Sequence, residues 1–228
     1  MSLRRWEDLP DFMRVPEVRP YWQSLYRKRF QLGIKRIFDV VVASLLLIIL
    51  AIPMLVIAVM IKSDSRGPVF YRQERVTQYG RRFRIHKFRT MVDHAHQIGP
   101  EVTVGNDSRI TKVGQKLRDK RLDELPQLFD VLAGDMSFVG TRPEAVKYVD
   151  QYEKKYYATL LLPAGITSIC SIKYKDEAEM LDGSSDPNKT YVEEILPEKM
   201  KWNLWSVKHF NVMLELGTMI GTAVAVVK

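Results

Sequence analysis

The run VVVASLLLIILAIPMLVIAVMI, Val40 to Ile61, carries no charged residue, and about twenty apolar residues suffice to span a bilayer as a helix. One proline, Pro53, interrupts it. A proline inside a helix removes a backbone hydrogen bond and crowds the preceding turn, so it kinks or reverses the helix. The flanks are alike in charge: Arg27, Lys28, Arg29, Lys35 and Arg36 precede the run, and Lys62, Arg66 and Arg72 follow it. Positive charge marks the cytoplasmic side, which favours a helix that enters, bends at Pro53 and returns to the face it left. A straight span with a mild kink stays open, because membrane helices tolerate proline. The expected fold is α+β and mainly helical. It comprises an N-terminal extension (1–34), a re-entrant membrane helix hairpin (35–62) and a cytosolic-face domain (63–228) with a β-hairpin and interfacial amphipathic helices.

The 228 residues hold 35 Lys and Arg against 27 Asp and Glu, a net charge of +8 at pH 7. That balance attracts anionic lipid, nucleotides or nucleic acid without choosing among them. The single Cys170 excludes an intrachain disulfide, argues against a thiolate zinc cluster, fits a reducing compartment and reads as a buried packing residue. Arg4 and Arg5 lead into Glu7, Asp8, Pro10 and Asp11, which is not the apolar stretch of a secretory signal. Trp6, Phe12, Tyr21 and Trp22 in that extension suit a membrane interface or, equally, a strand-like arm packed on its own domain.

Downstream, Val69-Phe70-Tyr71 and Arg82-Phe83-Arg84-Ile85 are strand-like runs around Gly80, a β-hairpin with a cationic face that ends in Lys87-Phe88-Arg89-Thr90-Met91. Ile110, Val113 and Leu117 stand at helical spacing after Asn106, Asp107 and Ser108, which reads as a capped amphipathic helix. Lys154 to Leu162 and the segment opened by Pro197, with Trp202, Trp205, Lys199, Lys201 and Lys208, suit the headgroup plane, core packing being the plainer reading of both indoles. Thr190-Tyr191-Val192-Glu193 reads as a capping box ahead of it. Gly217 to Val227 is apolar but about half a membrane helix long. Asp93-His94-Ala95-His96 has the composition of a metal cluster but lacks distant ligands, so it carries little weight. Phosphate-binding loops, nucleophile elbows, dinucleotide fingerprints and repeats are all missing.

The chemistry gathers at Leu122-Asp123-Glu124-Leu125-Pro126-Gln127. Proline is favoured at a first helical position, so a helix is expected from Pro126 through Leu132, ended by Gly134, with both carboxylates at its mouth. Acids in a first turn are ordinary capping electrostatics. The same end of a helix also favours ionised carboxylates and phosphate, an aspartate can attack phosphorus, and a glutamate can hold a hard cation against phosphate oxygens. In Gly140-Thr141-Arg142-Pro143-Glu144 the glycine lets backbone approach a ligand, and Arg142 can grip phosphate through two bonds or serve as a surface turn residue.

With these blocks in view, the stretch from about Lys35 to Thr218 resembles the bacterial sugar transferases, the monotopic phosphoglycosyl transferases. The blocks are Lys35-Arg36-Ile37-Phe38-Asp39, Gly67-Pro68-Val69-Phe70, Lys87-Phe88-Arg89-Thr90-Met91, Asn106-Asp107-Ser108-Arg109-Ile110-Thr111, Leu122-Asp123-Glu124-Leu125-Pro126-Gln127-Leu128 and Gly134-Asp135-Met136-Ser137-Phe138-Val139-Gly140. The resemblance implies a re-entrant helix at the bacterial cytoplasmic membrane with the catalytic domain on the cytosolic face. It implies a nucleotide diphosphate sugar as donor, polyprenyl phosphate as acceptor, and the first membrane step of glycan assembly. By resemblance Asp123 is the covalent nucleophile, Glu124 helps bind Mg²⁺, and Arg142, Lys87, Arg89 and Gln127 bind substrate. Membrane lipid is an expected partner and nucleic acid is not; homo-oligomerisation stays open. Thr141 stands where the family has proline, Pro163-Ala164-Gly165-Ile166-Thr167-Ser168 where Pro-Gly-Ile-Thr-Gly is common, and Asn211 where many members carry aspartate seven residues before a threonine, here Thr218. Two other readings compete: a non-catalytic basic module on anionic membrane that recruits nucleic acid or protein, and a membrane-bound phosphohydrolase using the same pair.

Overall fold

A computed structural model of the chain describes residues 3–95, 107–174 and 187–227. Two 3₁₀ turns, Trp6–Asp8 and Asp11–Met13, lead into α1 (Arg19–Arg27) and then α2 (Arg29–Asp64). The extension is helical where a strand-like arm was the expectation, and it packs on its own domain as that reading has it. Leu9, Met13 and Val18 are buried with Leu25, Tyr148, Tyr156, Leu161, Leu196 and Met200 in the largest core, and the Phe12 ring meets Tyr157 edge-on at 5.0 Å.

Helix α2 runs unbroken through Pro53, so no turn divides it into two separate helices at the expected bend. It has one buried and one exposed face. Leu32, Lys35, Asp39, Ala43, Met54, Ile57 and Ile61 form a buried face at helical spacing, while Ile37, Val41, Leu45, Ile48, Ile52, Leu55 and Val59 are exposed opposite it. Each such side chain left in water would forgo roughly 1.5–3 kcal/mol of burial, which is a reason to place this face in lipid.

Strands β1 (Phe70–Val76) and β2 (Arg82–Phe88) pair antiparallel in register from Phe70 opposite Phe88 to Val76 opposite Arg82. Phe83 and Ile85 point into the core and Arg82 and Arg84 outward, the expected hairpin. Its turn is tied down by Thr77, whose Oγ1 donates to the Asp135 carbonyl and accepts from the Ala164 N–H at 3.1 Å. Helix α3 (Lys112–Asp119) is capped by Thr111, which accepts from Gly114 N at 3.0 Å. The cap therefore lies later than the Asn106–Ser108 cluster; Asn106 is outside the described residues, and Asp107 is engaged with the Arg109 guanidinium.

A 3₁₀ turn (Leu122–Glu124) feeds α4 (Gln127–Ala133). Gly134 ends α4 at φ 83, as the sequence leads one to expect. Strand β3 (Met136–Val139) and β4 (Ala164–Thr167) form a parallel pair, with α5 (Val146–Val149) and a 3₁₀ segment (Lys154–Leu161) between them. Leu160, Leu161 and Leu162 lie in the main core, while Lys154 and Lys155 are exposed. Helix α6 (Ile169–Lys173) follows, with Cys170 buried in it.

Helix α7 (Pro187–Thr190) passes through a π-turn (Tyr191–Ile195) into α8 (Leu196–Lys208). Thr190 is itself helical, and its side chain makes no cap bond to the π-turn. The π-turn sits immediately before Pro197, whose ring removes the N–H that would have bonded one turn back. In α8, Trp205 is exposed and stacked on His209, and Lys173 lies over the Trp202 ring. Helix α9 (Val212–Val227) closes the chain. Asn211 caps it by accepting from Leu214 N at 2.8 Å, a task an aspartate side chain performs equally well.

Candidate active site

The turn carrying Asp123 and Glu124 lies between the hairpin and the β3–β4 pair. Its fixed point is Glu124. The Lys87 ammonium at the end of β2 donates to Glu124 Oε1 at 2.8 Å, and Arg142, just after β3, donates to the same oxygen at 2.6 Å. Burial by itself would push the Glu124 carboxyl up; the charges of Arg142 and Lys87 and their hydrogen bonds outweigh it and hold the group well below the usual carboxylate range. Lys87 is pushed down by burial, with Glu124 opposing.

Asp123 differs from its neighbour. Burial raises its pKa, Glu124 adds to the rise, and Lys87, Arg118 and Arg142 work against it. The helix-start electrostatics expected to favour its ionised form do not set the sign; desolvation does. An ionised Asp123 is accordingly a poorly solvated anion among cations, a reactive arrangement for a nucleophile.

Local structure explains how Arg142 is aimed. The Thr141 carbonyl accepts from Gly165 N at 2.9 Å, and the Glu144 carbonyl accepts from Val76 N at 3.0 Å, so the loop is pinned on both sides of Arg142. Thr141 in place of proline does not leave the turn loose. Gly140 lies close against backbone: a Cβ there would sit 2.6 Å from the Pro163 carbonyl oxygen. Ser168, the other departure, caps α6 by accepting from Ser171 N at 2.8 Å.

Two expected substrate residues are buried. Arg89 is buried, and its guanidinium donates to the Ser65 and Arg66 carbonyls, fastening the end of α2. Gln127 is buried in the first turn of α4, and its Nε2 meets no hydrogen-bond partner among the described residues.

Beside the turn opens a cleft of about 370 Å³. Asp119, Arg121, Glu124, Arg142, Thr167 and Ser171 give it polar groups; Leu46 and Leu50 of α2, Phe138, Ile172 and Ala225 of α9 give it apolar wall. Arg118, Asp119 and Arg121 escaped the sequence reading. The signal was their charge immediately ahead of Leu122, masked by a basic chain in which such runs are common.

Among the described residues no three His, Cys, Asp or Glu side chains group as a metal site; His96 of the Asp93–His96 cluster is outside them. A divalent cation at the turn would draw protein oxygens from Asp123 and Glu124 and the rest from phosphate and water, a donor set that suits Mg²⁺. Among the described residues the Lys87 and Arg142 hydrogen bonds to Glu124 both fall on Oε1.

The bacterial sugar transferase family model matches residues 30–228. The chain is 35% identical over 187 residues to a UDP-N-acetylgalactosamine-undecaprenyl-phosphate N-acetylgalactosaminephosphotransferase of Aeromonas hydrophila, covering 80% of this chain and 41% of that protein. It is 35% identical over 186 residues to a UDP-glucose:undecaprenyl-phosphate glucose-1-phosphate transferase of Klebsiella pneumoniae, 80% and 37% of the two chains. A protein of the same name from Caulobacter vibrioides is 42% identical over 144 residues, 61% and 53% of the two. The chain thus spans about half or less of the length of these relatives.

Proposed function

The chain belongs to the bacterial sugar transferase family, and from that premise we propose that it moves a sugar 1-phosphate from a UDP-sugar to polyprenyl phosphate at the cytoplasmic membrane. The observation that carries the reading is the cleft: one cavity joins the anchored Glu124–Arg142 pair to apolar wall from α2 and α9. A water-soluble phosphate donor and a lipid phosphate acceptor both need such a surface.

Asp123 attacks the β-phosphorus of the donor, the bond from that phosphorus to the bridging oxygen breaks, and uridine monophosphate leaves with the bonding pair. An oxygen of polyprenyl phosphate then attacks the same phosphorus, the acyl phosphate bond breaks, and the Asp123 carboxylate is restored. Lys87 and Arg142 face the charge that grows on the phosphate oxygens. Mg²⁺, when bound by Glu124, supplies further charge neutralisation at the diphosphate.

The membrane arrangement in this proposal is re-entrant. Arg36, near the start of α2, donates to the Val131 and Leu132 carbonyls at the end of α4 (2.6 and 2.9 Å). Asp64, at the other end of α2, accepts from Val113 N in the first turn of α3 at 2.9 Å. A straight helix from Arg36 to Asp64 would rise about 42 Å, more than the ~30 Å hydrocarbon layer. Yet both ends are fastened to neighbouring helices of one domain, which favours a helix that dips into the layer and returns.

The test is purified protein with UDP-N-acetylgalactosamine or UDP-glucose, polyprenyl phosphate and Mg²⁺, reading uridine monophosphate and polyprenyl diphosphate sugar. Release of sugar phosphate without lipid acceptor would instead mark a hydrolase.

A further inference from the structure

The cleft beside the carboxylate turn joins two unlike surfaces. Glu124 and Arg142, bonded to each other at 2.6 Å, give it charge. Leu46 and Leu50 of α2 and Ala225 of α9 give it hydrocarbon. A nucleotide sugar is polar along its length and gains little against that second surface, since only apolar groups are driven out of water. The apolar wall therefore calls for a different occupant.

Helix α9 is built as a fixed part of that wall. In its first turn Glu215 pairs with the buried Lys35 of α2. Two turns on, the Thr222 hydroxyl donates to the Thr218 carbonyl at 2.8 Å and so accepts from Thr167 of β4 at 2.7 Å. The helix is thus fastened to α2 at one point and to β4 at another. Both hydroxyls at the cleft are spent on protein bonds, and that stretch makes no polar demand on a ligand. The wall also continues outward. On α2 the exposed Leu45 and Ile49 stand next to Leu46 and Leu50, and on α9 the exposed Val224 stands next to Ala225. The hydrocarbon lining the cleft is therefore continuous with the face of α2 that suits lipid.

We propose that the acceptor lipid enters the cleft sideways from the bilayer between α2 and α9, its hydrocarbon chain lying past Leu50 and Ala225 and its phosphate at Arg142. The inference rests on the transferase reading above. Charge selects the occupant: a cation at the inner surface suits a lipid that ends in phosphate, and the apolar wall suits the chain behind it. Donor and acceptor then share the phosphate site in turn, and only the acceptor uses the gap between the helices.

The two half-reactions separate this route from the chemistry. Ala225→Trp and, separately, Leu50→Trp place an indole in the gap, and Val224→Trp places one on the exposed side of α9. In the full chain in detergent, the first two should need about tenfold more polyprenyl phosphate to discharge the sugar-phosphate-labelled enzyme, while labelling by the UDP-sugar alone stays within about twofold of wild type. Val224→Trp should match wild type in both steps. A second measurement uses the unaltered protein: polyprenyl phosphate carrying a photoreactive group near its phosphate should crosslink to residues 46–50 and 222–225. Unmodified polyprenyl phosphate should compete, and phosphatidylglycerol should not. Discharge at wild-type acceptor concentrations in both gap variants would overturn the route, as would crosslinks confined to other segments or equal competition by phosphatidylglycerol, which would mark a groove for bulk lipid. Equal loss of labelling and discharge in gap variants that melt as wild type would also overturn it, since the donor would then use the gap. Wild-type protein that took no label from a UDP-sugar would bring down the transferase reading; a labelled wild type with unaffected gap variants removes only the route.

Discussion

Lys87 Nζ lies 2.8 Å from Glu124 Oε1, joining the last residues of a β-hairpin to the turn that bears both carboxylates. Both side chains are mostly buried, so solvent screens the pair little. Lys87→Met removes one of two cations on a buried carboxylate, and a loss of about 1–3 kcal/mol in stability is expected. Turnover should fall by about a hundredfold or more, as when one charge-stabilising donor is removed. Arg142→Met should act alike, and the double variant should lose more stability than the summed singles because each single variant leaves the other cation on the shared oxygen and the double leaves neither. Denaturant melts and initial rates on the four proteins check this; additive losses would show that the two cations act apart.

The two carboxylates should leave opposite marks on pH profiles. Asp123 reacts when ionised, and burial raises its pKa above the ordinary aspartate value of 3.8, so the acid limb of single-turnover rates should lie above that value. Lys87 lowers the Asp123 pKa, and Lys87→Met should therefore move the limb to higher pH. Glu124 is depressed on folding; its stabilisation is fully present above its unfolded pKa and is lost as pH falls through its folded value. Glu124→Gln should flatten the acid side of the stability curve. An acid limb that stays put in Lys87→Met would contradict the assignment of the limb to Asp123.

Much of this was legible because local chemistry decided it. The hairpin, the glycine that ends α4, the apolar run and the buried Cys170 follow from period, turn residues and composition. What escaped depends on distant partners. Arg89 and Lys87 stand two residues apart on one strand end, yet Arg89 ties down the end of α2 while Lys87 meets Glu124, and residue type alone cannot separate them. The apolar run hid which of its faces packs on protein because both faces of α2 are hydrophobic, one buried and the other exposed. The sign of the Asp123 shift depends on burial by elements remote in sequence, which a helix-end argument does not contain.

Gly140 and Gly165 hold the β3–β4 pair together at a contact with no room for a methyl group. A Cβ on Gly165 would fall 2.2 Å from Gly140 N and 2.3 Å from its carbonyl oxygen. Backbone cannot yield as a flexible side chain does, so Gly165→Ala should cost roughly 2–4 kcal/mol. The same change should lower turnover, since the Thr141 carbonyl that helps pin Arg142 bonds to Gly165 N. Thermal melts and rates would check both; a variant with wild-type melting would refute the contact.

The re-entrant arrangement predicts that both ends of α2 face the same compartment. Cys170 is the only cysteine and is buried, so a Cys170→Ser background permits single cysteines near Arg36 and Lys62. An impermeant maleimide should label both sites in inverted membrane vesicles and neither from the outside. Labelling from opposite sides would establish a crossing. Pro53→Ala restores a backbone N–H inside α2 and is expected to favour the crossing, because it removes the steric cause of bending.

A two-step transfer requires an enzyme species that carries the sugar phosphate before any acceptor arrives. Protein incubated with a UDP-sugar labelled on the β-phosphate, with Mg²⁺ and no lipid, should retain label and release one equivalent of uridine monophosphate. Proteolysis should place that label on the peptide containing Asp123. Asp123→Asn keeps the size and loses the nucleophile, and should abolish both labelling and turnover. Glu124→Gln leaves Asp123 in place but offers Lys87 and Arg142 a neutral partner, so labelling should slow strongly and its Mg²⁺ dependence should weaken. Polyprenyl phosphate added to the labelled enzyme should discharge it into polyprenyl diphosphate sugar, whereas water should do so slowly. Turnover that survived in Asp123→Asn, or kinetics that required donor and acceptor to be bound together, would demote the aspartate from nucleophile to metal ligand.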